Sequence, residues 1–96
     1  MDCVKLYFKE QLIGVLTYDE KKEIYIFVKN KFFQNKYIQD VIGINDKDEV
    51  YCSKTLFSFF LSFLGRYSQG EFEDEYQELL KIANFDFDKN QFWIGA

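Results

Sequence analysis

Enzymatic chemistry needs side chains that carry protons, bind metal or attack a substrate, and the supply in this sequence is narrow. The chain of 96 residues has no histidine and only two cysteines, Cys3 and Cys52. Neither a zinc ligand set nor a Cys-His nucleophile can be assembled from these, and a Ser-His-Asp triad is excluded. Asp86, Asp88 and Asn90 imitate the alternate spacing of a calcium loop. The glycine and the closing glutamate that such a loop requires are missing, so calcium is not expected. There is no glycine-rich phosphate loop, no Walker lysine and no kinase catalytic string. The remaining carboxylates stand in charge runs, above all Glu73, Asp74, Glu75 and Glu78 with Lys81. Such a run on one helix face reads as a solvated surface that suits the positive end of the helix dipole, and less readily as an acidic docking strip. The expectation is a protein without enzymatic activity, cofactor or metal.

Contact is then the function to look for, and the apolar residues are where to look. Aromatic residues make up 21% of the chain, with 12 Phe and 7 Tyr, while acids outnumber bases 16 to 12. That acidic balance argues against a nucleic-acid partner, because such affinity comes mostly from neutralising phosphates with Lys and Arg. Tyr7, Tyr25 and Phe27 resemble the base-stacking residues of sheet-type RNA readers, but without a basic field they are expected to pack in the core. Cys3 and Cys52 are expected to be reduced; a disulfide would need their strands side by side in an oxidising compartment.

The most apolar stretch is LFSFFLSFL, residues 56–64, followed by GRYSQGEF. At about 100° per residue in a helix, Ser58 and Ser62 share one stripe while Leu56, Phe60, Phe63, Phe57, Leu61 and Leu64 cover the others. The run is too short to span a membrane, which takes about 20 apolar residues, and Lys54 and Arg66 bracket it. It reads as a buried helix. The opening MDCVKLYFKEQ alternates and lacks the pattern of a secretory leader, so the expected location is the cytoplasm.

The elements that position these residues follow from periodicity. Residues 3–9, 12–18 and 22–29 alternate as strands, with Val4, Leu6 and Phe8 on one face and Lys5, Tyr7 and Lys9 on the other. Short polar connections at Glu10-Gln11 and Asp19–Lys22 make them an antiparallel meander. Gly14 marks a bulge, a close approach of another backbone, or a weak spot in its strand. Residues 30–50 fit a helical turn, a short strand at Val41–Ile44 and a loop leading into VYC. Ser53 is placed to cap a helix over 54–64, with Gly65 closing it. Ser68 and Glu71 are spaced as a capping box, with Tyr67 and Phe72 as its hydrophobic staple, for a helix over 69–83 whose inner face is Phe72, Tyr76, Leu79, Leu80 and Ala83. The expected fold is one α+β domain over 1–96: a small antiparallel sheet of three to four strands with two helices of the C-terminal half on one face. Its core includes Leu6, Phe8, Leu16, Ile26, Phe60, Leu64, Leu79 and Leu80. Phe92 and Trp93, so near the end, should pin the tail to the domain or to a partner.

In this order, LYFKEQLIGVLTYDEKKEIYIFV resembles the opening of HipA-type toxin kinases: an aromatic-rich strand, a turn, a strand with Gly and Leu before an Asp, and a strand ending in aromatics. DEVYCSKTLFSFFLSFLGRYSQGEF is similar to the later stretch of that N-terminal subdomain 1, where an aromatic helix leads to a Leu-Pro-Glu-Gly-Glu turn. Here the turn reads Leu64-Gly65-Arg66-Tyr67-Ser68-Gln69-Gly70, longer and without proline, and Glu10-Gln11 replaces the frequent Asn-Gly of the first hairpin. The resemblance spans nearly the whole chain and ends where a HipA kinase continues into its catalytic lobes, as in the stand-alone antitoxins of tripartite HipBST systems. It implies a protein that binds and neutralises a HipT-like Ser/Thr kinase, with a HipB-like DNA-binding protein as a further partner. The alternatives are a subunit that completes a truncated HipA-like kinase, and an unrelated protein-binding adaptor. The expected partner-binding residues are Arg66, Tyr67, Ser68 and Gln69, in a segment presented between two helices, together with Phe92 and Trp93. The plainer reading makes Tyr67 a staple and Arg66 a solvated charge.

Overall fold

The computed structural model describes residues 2–45, 47–68 and 70–96. It is an α+β fold built on one five-stranded antiparallel sheet with three helices, two of them in the C-terminal half. The strands are β1 (Val4–Phe8), β2 (Gln11–Asp19), β3 (Ile24–Lys29), β4 (Val50–Ser53) and β5 (Phe92–Gly95), in the order β4-β3-β2-β1-β5. The first three form the expected meander, although the first turn lies one residue earlier, at Lys9-Glu10, with Lys9 at φ 54°. The extra strands are VYC, which pairs with β3, and the tail, which pairs with β1 through Phe8↔Phe92, Leu6↔Ile94 and Tyr7↔Trp93. The tail is therefore pinned to its own domain. The sheet order separates Cys3, just before β1, from Cys52 in β4 by two whole strands, and both thiols are free.

One face of the sheet carries the core. Val4, Leu6, Leu16, Tyr25, Phe27 and Ile94 point to it and are buried, where they meet Phe60, Phe63, Leu64, Tyr76, Leu79 and Ile82 of the C-terminal helices. Ile26 is not part of this core. Register pairs Leu16 with Phe27, and paired residues share a face, so Tyr25 and Phe27 turn inward and Ile26 outward. Phe8 and Leu80 are only partly buried at its edge.

Strand β2 does not alternate strictly. Leu6 pairs with Gly14 and Tyr7 with Leu12, which leaves Ile13 as the extra residue of a bulge. This lets Ile13 and Leu16, three apart, both be fully buried. Gly14 is also a close approach: a Cβ there would lie 2.5 Å from Phe27 Cζ and 2.6 Å from the Val28 carbonyl oxygen.

The helices correct several sequence-based expectations, each for a capping or packing reason. Val41 and Ile42 belong to helix α1 (Lys36–Ile42), not to a strand. Asn35 caps it by accepting from the Ile38 amide at 3.1 Å, and Gly43 closes it at φ 81°, a conformation that glycine adopts without a Cβ clash. Helix α2 (Ser58–Tyr67) starts after Phe57, with no side-chain cap. Ser53 instead ends β4 and accepts from the Thr55 amide at 3.2 Å. Gly65 does not close α2. The helix runs one more half-turn because Tyr67 packs its ring on Phe63 and Phe87, at 5.8 and 4.9 Å between centroids. Helix α3 (Glu75–Ile82) is capped by Asp74, which accepts from the amides of Tyr76 and Gln77 at 2.9 and 3.2 Å. The Ser68-Glu71 box therefore does not cap it, and Phe72 is exposed rather than stapled to Tyr67. No helix among the described residues is long and apolar enough to cross a membrane.

Candidate functional site

Extending α2 by its last turn changes where the candidate residues lie. Phe59, Ser62 and Arg66 fall at three- and four-residue spacing along one helix stripe, which faces the end of β5. With Phe63, Tyr67, Gln91 and Phe92 they line a cleft of about 210 Å³. Phe92 forms its floor, with its ring 4.8 Å from Phe59 and 4.9 Å from Phe8. Tyr67 is half-buried in an aromatic cluster with Phe63, Phe85 and Phe87. Arg66 is exposed in the last turn, where a cation suits the helix dipole, and makes no ion pair among the described residues.

The structure brings together three of the six expected contact residues, Arg66, Tyr67 and Phe92. Ser68 is turned away: its hydroxyl donates to Glu78 Oε2 at 2.7 Å and ties the end of α2 to α3. Gln69 lies outside the described residues. Trp93 is on the opposite side of the sheet from its neighbour Phe92, because successive strand residues alternate. There it stacks on Tyr7 with centroids 4.0 Å apart and planes 6° apart, donates from Nε1 to the Lys9 carbonyl at 2.7 Å, and has the Lys89 ammonium 4.9 Å from its ring. The segment expected to project as a loop is thus half helix, and its tyrosine is a packing residue.

Sequence reasoning missed the outer face of the sheet, the side away from α2 and α3. Register sets out its rows as Val50–Val28–Val15–Lys5, Cys52–Ile26–Thr17 and Ile24–Asp19, with Leu12, Tyr7 and Trp93 beyond. Lys5 and, at the strand end, Asp19 are the charged residues in those rows. Most antiparallel sheets covered on one side only alternate apolar-in and polar-out. This face keeps its apolar side chains partly in solvent: Val28 is 45% exposed and Val50 55%, while Val15 and Ile26 are half-buried. The signal was present in the sequence. IYIFV has no polar residue on either face, so its alternation could not mark which side was to be covered. Tyr7 belongs to this outer face, whereas Tyr25 and Phe27 pack in the core.

Two tyrosines, Tyr25 and Tyr76, tie α3 to other parts of the fold. Tyr25 donates to Glu75 Oε1 at 3.2 Å, and burial first, then the Glu75 carboxylate, pushes its phenol well above the usual tyrosine range. Tyr76 donates to the carbonyls of Asp2 and Leu16 at 2.9 and 3.3 Å, and burial, with Cys3 and Asp2 nearby, pushes it up to about 12. Both shifts hold the phenols protonated, the direction opposite to that of a general base at neutral pH. Among the described residues no group of three His, Cys, Asp or Glu side chains is placed to hold a metal ion. The acidic run on α3 opens on a broad hollow lined by Glu71, Phe72, Glu73, Asp74, Gln77, Glu78 and Lys81. Two of its acids are already engaged, Asp74 as the cap and Glu78 with Ser68 and Lys81.

No protein-family model and no curated protein matches this chain.

Proposed function

We propose that this protein is a non-enzymatic antitoxin that binds a HipT-like Ser/Thr kinase and holds it inactive, alongside a HipB-like DNA-binding partner. The observation that carries the reading is the apolar outer face of the sheet, where β-branched side chains of three strands stand partly in water with Lys5 and, at the strand end, Asp19 as the charges among them. A surface of that kind is stabilised by a partner that covers it. In a HipA-type kinase the subdomain that this sequence resembles is joined to a catalytic lobe, and an apolar sheet face is a surface against which such a lobe can pack. The negative net charge of the chain, −4, fits a protein partner better than a phosphate backbone.

Co-expression with a HipT-like kinase tests the function. Growth rescued from kinase toxicity by this chain, and lost again with Val28→Lys, is the expected result. Toxicity that appears only when this chain is present would instead make it a subunit that completes the kinase, and would overturn neutralisation.

A further inference from the structure

We infer that the cleft between α2 and β5 receives a segment of a partner protein that presents a large apolar side chain beside an aspartate or glutamate. The inference rests on the reading of this chain as a protein-binding module and not on the identity of the kinase. Size and chemistry both select this occupant. The cleft of about 210 Å³ has room for one large side chain, and Phe59, Phe63, Tyr67 and Phe92 supply its apolar walls. Ser62 and Gln91 add two neutral polar groups, and Arg66 is the only charge in the lining.

The charge balance around the cleft decides the rest. Arg66 has no carboxylate paired to it among the described residues, whereas Lys81, on the other helix, has Glu78 at 3.9 Å. The helix dipole accounts for a cation in the last turn of α2 but leaves the five-donor fork of the guanidinium unused. A purely apolar segment seated here would strip water from Arg66 without replacing its hydrogen bonds, and a basic segment would meet repulsion as well. A carboxylate beside the inserted side chain supplies the bidentate partner that the fork fits. The acidic face of α3 repels such a segment, whereas the cleft, with Arg66 as the charge in its lining, attracts it.

The test is a displayed library of short random peptides, selected against the intact protein, with each enriched peptide then synthesised and its affinity measured. Selected peptides are expected to share an acidic residue next to Leu, Met, Phe or Trp. Their binding should weaken at least about tenfold with Arg66→Glu, the loss that follows when an attractive interfacial charge pair becomes a repulsive one. Arg66→Lys should retain part of the affinity. Ser62→Trp, a change at an exposed helix position that fills the cleft without altering charge, should abolish binding while leaving the thermal midpoint in place. Enrichment of uncharged or basic sequences, an acidic motif indifferent to both Arg66→Glu and Ser62→Trp, or no enrichment at all would overturn the inference. So would self-association of the wild-type chain that Ser62→Trp reverses, since the occupant would then be a second copy. Kinase neutralisation is a separate readout: its failure would remove the antitoxin reading and leave the peptide result standing.

Discussion

Phe27 and Val28 are neighbours on β3, both apolar, yet one is buried against α2 and the other stands 45% in water. The same contrast runs along the whole strand, with Tyr25 and Phe27 on the inner face and Ile26 and Val28 on the outer. The two faces are built from similar residues and differ in what lies over them. The inner one is covered by the C-terminal helices, in edge-on contacts such as Phe27 to Phe60 at 5.8 Å. The outer one leaves Val28 and Val50 about half in solvent. Hydrophobicity alone therefore does not locate the core of a small sheet protein: register chooses the side of each residue, and the helices choose which side is dry.

Substitutions divide along the same line. Phe60→Ala, at the centre of the covered side, should destabilise the domain by about 3 to 5 kcal/mol, the range for emptying a buried aromatic site. Thermal or denaturant unfolding measures it, and a midpoint close to wild type would place the core elsewhere. Gly14→Ala should cost about 1 to 3 kcal/mol by overpacking. Its new methyl group meets the Phe27 ring and also the Val28 carbonyl, and the backbone oxygen has little freedom to give way.

Tyr76→Phe removes the hydroxyl that joins α3 to the carbonyls of Asp2 and Leu16, a loss of about 1 kcal/mol at neutral pH. It should also change the alkaline limb of stability. With its phenol near 12 in the folded chain and 10.0 unfolded, the unfolded state gives up its proton first. The contribution of Tyr76 is thus complete below pH 10 and is lost as pH rises toward 12. Denaturant midpoints measured across that window should fall less steeply for Tyr76→Phe than for wild type. Of similar size, Asp74→Ala should cost about 1 kcal/mol through the lost cap of α3. Glu71→Ala, at the position where the sequence suggested a capping box, should leave the midpoint unchanged.

The long-period features of the fold were legible in the sequence. Three alternating segments gave the meander, the apolar run at 56–64 gave a buried helix, and the aromatic tail gave an anchored terminus. Helix ends were not, because several competing signals stood close together. Ser53, Gly65 and Ser68 each have the right residue type for a cap, but the aromatic packing of Tyr67 on Phe63, Phe85 and Phe87 carries α2 past Gly65, and Asp74 captures the amides of α3. Phe85 and Phe87, which make the second and third of these contacts, sit in an irregular segment whose pattern gave no hint of them. The candidate site was half legible for a related reason. Arg66, Tyr67 and Phe92 do meet, but Phe92 and Trp93 had seemed one feature in the sequence, and strand alternation sends them to opposite faces. The outer face went unread because most of its strand residues, Val15, Ile26, Val28 and Val50 among them, are of types that also build cores.

A single substitution at that face tests the account most directly. Val28→Lys places a charge on the outer row beside Val15 and Val50 and touches none of the buried cluster. Unfolding midpoint and affinity for a purified HipT-like kinase are measured on the same preparation. The two-face account predicts a stability change within about 0.5 kcal/mol, as for a surface site, with kinase affinity reduced by at least about 2 kcal/mol, the threshold of an interface hot spot. A domain that unfolds as readily as Phe60→Ala, or a folded domain that binds the kinase with undiminished affinity, would contradict it.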